Sequence, residues 1–180
     1  MKRTLATLAA MLVTVSTFGQ GTVIFNTRIG TVDAKVSRGD GTGAGAGVTA
    51  QLYLVGAGGA LTALTPTTTF RTTSAAAAFY INQVTITVPG VAAGNPATFR
   101  MRAWVGASYD TSFLKGESND VTVPQLGGTP PGGGAPIPDP FLGGLQGFTC
   151  PLPEPSSITL GLLGAAVLLC RRRNRFGSSH

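Results

Sequence analysis

Along the middle of the chain, apolar and polar side chains alternate one by one. In residues 48–55, Val48, Ala50, Leu52 and Leu54 fall on one side and Thr49, Gln51, Tyr53 and Val55 on the other, the period of a half-buried strand. Residues 97–105 repeat it, with Phe99, Met101, Ala103 and Val105 against Thr98, Arg100, Arg102 and Trp104. In 84–88, Val84, Ile86 and Val88 oppose Thr85 and Thr87, and Pro89-Gly90 predicts a turn that ends the strand. Weaker runs lie at 23–26, 67–72, 78–81 and 120–123. Seven or eight short runs separated by turn residues predict an all-β fold, a single β-sandwich of immunoglobulin-like or fibronectin-like architecture over residues 20–124. Between 20 and 149 the best helical stretch, 74–78, is too short to stand alone.

Two apolar stretches do not alternate, and both lie at the ends. Lys2 and Arg3 precede an apolar run from Leu5 to Val15 and then small residues, the three-part pattern of a secretory signal peptide over residues 1–19, with cleavage after Gly19. The partners this implies are a secretion translocon and signal peptidase, and the working protein lies outside the cytoplasm. The second run, Ile158 to Cys170, has 13 residues, about 20 Å as a helix against roughly 30 Å of hydrocarbon, a marginal anchor. Helix-breaking Pro153-Glu154-Pro155 stands before it, Ser156 or Ser157 caps its start, and it stops at Arg171, Arg172, Arg173 and Arg175. Those arginines predict a cytoplasmic end, with the body of the protein outside. Residues 125–150 are rich in Pro and Gly and read as a semi-extended linker that forms no ladder and buries little.

The Pro153-Glu154-Pro155 motif, the Leu/Gly/Ala-rich run and the terminal arginine cluster together resemble the PEP-CTERM sorting domain of Gram-negative bacteria. The resemblance covers about residues 151–175 and leaves 176–180 as a short tail; Leu152 stands where the commonest form of the motif has Val. It implies recognition by an exosortase, a membrane enzyme thought to cut near the Pro-Glu-Pro, so that Glu154 and its prolines are a processing substrate. The resemblance further implies transient membrane anchoring, then display at the cell surface or in the extracellular matrix, with exopolysaccharide as a candidate partner. The body, with its order of GTVIFN, AQLYLV, VTITVPGV and RMRAW, is similar to small secreted PEP-CTERM proteins of unknown function from Verrucomicrobia and their relatives. That likeness brings no activity with it.

The formal charge of +6 invites a nucleic-acid reading, which its distribution opposes. Lys2, Arg3, Arg171, Arg172, Arg173 and Arg175 belong to the ends. Between 20 and 149, seven cations meet six anions, too near neutral for a phosphate-binding face. No catalytic residue, metal site or cofactor is predicted. The one histidine is His180, which removes Ser-His and Cys-His nucleophile arrangements and histidine metal sites. Asp110, Glu117 and Asp120 read as surface carboxylates in a solvated loop. The loop 38–47, RGDGTGAGAG, lacks the lysine and Ser/Thr of a phosphate-binding loop and the aspartates of a calcium repeat. It reads as a flexible strand connection, its Arg38-Gly39-Asp40 a chance match to an integrin ligand. Cys150 and Cys170 flank the apolar run, too far apart to bridge; Cys150 reads as an incidental thiol, with lipidation or an intermolecular bridge as alternatives.

Arg100, Arg102 and Trp104 form the candidate ligand face, since an aromatic flanked by cations can contact sugars. Packing of Trp104 against a neighbouring strand is the competing reading. Two functions follow. The first is a non-enzymatic, sorted surface protein. The second is a carbohydrate-binding or carbohydrate-active β-module, which needs two carboxylates across a groove near Trp104.

Overall fold

The computed structural model describes residues 19–152. They form an all-β fold of short strands: β1 (Gln20–Phe25), β2 (Arg28–Ile29), β3 (Val32–Asp33), β4 (Val36–Arg38), β5 (Val48–Val55), β6 (Leu61–Ala63), β7 (Thr68–Thr69), β8 (Val84–Ala92), β9 (Ala97–Val105), β10 (Lys115–Glu117), β11 (Val121–Val123) and β12 (Phe148–Cys150). Among the described residues the only helical pieces are 3-10 turns at Ala57–Gly59 and Ala77–Phe79, and no helix is long and apolar enough to cross a membrane. The signal segment and the C-terminal apolar helix expected from the sequence lie outside the described residues.

The strongest alternations become the central strands. β5 and β9 pair antiparallel from Val48↔Val105 to Leu54↔Phe99. Val48, Ala50, Leu52, Phe99, Met101 and Ala103 turn inward and are buried, because a shift of one residue would drive Arg100 and Arg102 into the apolar interior. β6 and β7 extend the sheet beyond β5, and β10 and β11 return along the far side of β9. β1 and β8 form a separate antiparallel pair whose Val23, Phe25, Ile86 and Val88 enter the same core.

Three expectations are corrected. β8 does not end at Pro89-Gly90: Gly21 faces Val88 and Gln20 faces Ala92, so residues 89–91 bulge and the pairing resumes. Proline, which has no N–H, and Gly90 at φ +78° suit a bulge better than a ladder. Residues 78–81, read as a strand, begin in the 3-10 turn, which the Ser74 hydroxyl holds by accepting from the Ala77 N–H at 3.1 Å. Within 78–81 only Ile81 forms a β-bridge, with Phe70.

The third correction concerns residues 125–150, which are part of the domain rather than a linker. Leu126, Leu142, Leu145 and Cys150 are buried in the common core. The segment also completes the free edge of β1. Thr22 and Gly127 exchange backbone bonds at 3.0 and 2.9 Å, and the Ile24 N–H donates to the Pro140 carbonyl at 2.8 Å. The Thr22 hydroxyl donates to the Asp139 carboxylate. β12 then lies parallel to β4, from Phe148↔Val36 to Cys150↔Arg38. Prolines placed where no N–H is needed, and glycines where backbones nearly touch, let an aperiodic segment act as a strand partner.

Candidate functional site

The candidate face is the outer side of the β5–β9–β10 sheet. Alternation along β9 sends Arg100 and Arg102 outward, and the registers place Tyr53 opposite Arg100, with Gln51 and Glu117 on either side of Arg102. The guanidinium of Arg102 lies 5.2 Å from the ring centroid of Tyr53 and 4.3 Å from that of Tyr109, while Lys115 Nζ stands 5.1 Å from the Tyr109 ring. Those cations use the ring surfaces on which a sugar would stack.

All three carboxylates are exposed, as expected of surface groups, but Glu117 lies in a strand rather than a loop. Glu117 sits in β10, accepting from Arg102 Nε at 3.1 Å and from Arg100 Nη1 at 3.4 Å. Asp120 takes a two-pronged contact from Arg100, at 2.6 Å from Nε and 2.9 Å from Nη2. That hydrogen bond, with the arginine's charge behind it, holds the Asp120 carboxyl below its ordinary range and raises Arg100. Asp120 is thereby fixed as an anion with its oxygens engaged. Asp110 stays on its own loop, and its backbone carbonyl accepts from Lys115 Nζ at 3.0 Å. Among the described residues no three His, Cys, Asp or Glu side chains gather as a metal site.

Trp104 joins this face but is not displayed on it. Tyr109 meets its ring edge-on, centroids 6.2 Å apart and planes at 88°, and Trp104 is 6% exposed. Its Nε1 has no hydrogen-bond partner among the described residues. The outward position of residue 104 was legible in the alternation; the Tyr109 lid comes from a loop that carries no periodicity. Burial, helped by the nearby charge of Glu117, pushes the Tyr109 hydroxyl up.

The glycine-rich loop closes on its own arginine. Arg38 donates to the Ala44 carbonyl from Nε at 2.9 Å and from Nη2 at 2.7 Å, and to the Ala46 carbonyl at 3.2 Å. Asp40 accepts from the N–H and the hydroxyl of Thr42 at 2.9 and 2.6 Å, a turn that lowers its pKa, chiefly through the hydroxyl bond. Arg38 and Asp40 thus both serve the loop. Cys150 is wholly buried, and burial pushes its thiol up to about 11, with only slight relief from Arg38. A thiol so placed is closed to lipidation or to bridging while the fold is intact.

Pro153, Glu154, Pro155 and the arginines at 171, 172, 173 and 175 lie outside the described residues. The ladder holds the chain as far as Cys150, and Leu152, the last described residue, lies against Gly39. No family model, curated protein or solved structure matches the chain.

Proposed function

We propose that this chain is a non-enzymatic β-domain, exported through a translocon, trimmed by signal peptidase and sorted to the cell surface or extracellular matrix by exosortase processing at Pro153-Glu154-Pro155. In this reading the inner membrane holds the short C-terminal helix only in passing, and exopolysaccharide is the polymer the displayed domain meets. The β1–β8 pair and the β5–β9 sheet, sharing one core, are read as the two layers of an immunoglobulin-like or fibronectin-like sandwich.

The observation that carries the proposal is the coincidence of the Pro-Glu-Pro, the apolar run and the arginine stop at one end of a chain that begins with a signal-like segment. The fold adds support. The last described strand closes at Cys150, so a cut near Glu154 would leave every described element in place. On the outer face the arginines are already engaged by Glu117 and Asp120, and the aromatic rings by cations.

Intact-mass measurement of the protein recovered from its host, with and without the exosortase, tests this directly. The expected species starts near Gln20 and ends near Glu154 only when the enzyme is present. A chain that still carries 158–175 in both strains would overturn the sorting claim.

A further inference from the structure

Among the described residues the long strand β8 has one free edge, and the register states which groups line it. β1 spends the N–H groups of Thr22 and Ile24 on Gly127 and Pro140. The bonds it makes to β8 therefore belong to the alternate pairs, Val23 with Ile86 and Phe25 with Val84. Thr85 and Thr87, opposite Ile24 and Thr22, turn their own N–H and C=O groups away from β1. Among the described strands β8 pairs with β1 alone, and both threonines are exposed.

Open edges are normally defended by charge, above all lysine, or by proline. Here the whole stretch from 72 to 99 carries no charged residue. Among the described residues the guard is Pro89 with its bulge, at the next outward position, which stops a ladder from lengthening and leaves Thr85 and Thr87 available.

We propose that β8 is a self-association edge at which two copies of this chain pair antiparallel about Ile86. In that register Thr85 of one copy faces Thr87 of the other, and each such pair exchanges two backbone bonds, so every outward donor and acceptor of the two threonines is used. The occupant is a second copy because the row is symmetric about Ile86, because threonine suits threonine across a ladder, and because no like charges meet when the edge is doubled. The proline of each copy falls at the end of the ladder and closes the assembly at two.

The test uses the full chain in a mild non-ionic detergent, with light scattering that separates protein mass from detergent mass. The dimer is expected for the native sequence. Thr87→Pro removes an outward N–H without touching the β1 pairing, and Thr85→Lys sets a lysine opposite Thr87 and brings the two copies' lysines together as diagonal neighbours on one face of the ladder; each should weaken dimerisation at least tenfold while the thermal transition stays cooperative. Should the proline variant misfold, Thr85→Lys decides alone. A native chain that stays monomeric at high concentration, or a dimer that both variants leave unchanged, as one held by the apolar tail would be, overturns the proposal.

Discussion

A methyl group placed on Gly147 would collide with the carbonyl oxygen of Lys35 and stand 2.8 Å from its nitrogen. The two backbones, far apart in sequence, meet where the chain turns into β12, and the Phe148 N–H donates to that same Lys35 carbonyl at 3.0 Å. Glycine is required there by contact, not by backbone angle.

Gly147→Ala should therefore destabilise the domain by about 1–3 kcal/mol, the usual cost of overpacking a site that cannot yield. Gly143→Ala is the matched control, since nothing lies within 4 Å of its Cβ position. Urea unfolding of the two variants measures the difference. Equal stabilities would mean that residues 125–150 are only loosely attached to the domain.

Central strands were legible in the sequence and peripheral ones were not, for a physical reason. β5 and β9 are buried on one face and wet on the other, so Leu52 and Arg102 announce opposite sides. Leu126, Leu142 and Leu145 are equally buried, but they reach the core from turns, one residue at a time, and leave no period. Two- and three-residue strands such as β2, β3 and β12 exist because a partner offers them a ladder, which no local pattern records. The outer face was half legible: alternation placed Arg100, Arg102 and Trp104 together, while the partners that occupy them, Asp120, Glu117 and Tyr109, arrive from later in the chain.

Cys150 should be silent to a thiol reagent at neutral pH in the native protein and should react at once on unfolding. Its folded pKa, about 11, lies above the ordinary value of 9.0. The unfolded chain therefore releases this proton first as pH rises, so the stability contributed by the neutral thiol is whole below about pH 9 and is lost between about 9 and 11. Unfolding curves of the native protein and Cys150→Ala, compared across that range, should converge as pH rises. A constant gap would show that the thiol does not titrate differently in the two states.

Asp120 carries the opposite sign. Its pKa is lowered in the fold by the hydrogen bond from Arg100, so its contribution is present above the ordinary carboxylate range and disappears as pH falls through and below it. Asp120→Asn should lower stability slightly near neutrality, where the contribution is present, and converge with the native protein in acid, so that part of the acid limb flattens; the difference is small because the pair is exposed and screened. High salt should narrow the difference between the two proteins. If Asp120→Asn follows the native acid profile point for point, the Arg100 contact seen in the fold is not populated in solution.

The loop 38–47 makes the sharpest case that a motif-like stretch can be explained from inside the fold. Five glycines give it freedom that a loop pays back in entropy when ordered, and the Arg38 guanidinium opposes that loss by holding two carbonyls at once. Arg38→Ala should leave the central sheet intact and speed amide exchange at Ala44 and Gly45, whose N–H groups donate to Val36 and Ala78. Arg38→Lys should restore little of that protection, because an ammonium cannot reproduce the planar grip of Nε and Nη2 on the Ala44 carbonyl. Gly43 supplies an independent check. A Cβ there would meet the backbone of Ala78 at 2.6 Å, so Gly43→Ala should raise exchange at the same amides without removing the arginine. Agreement between the two variants would assign residues 38–47 to holding β4 against the 3-10 turn, whereas unchanged exchange in both would leave the loop free to present Arg38 and Asp40 to a ligand.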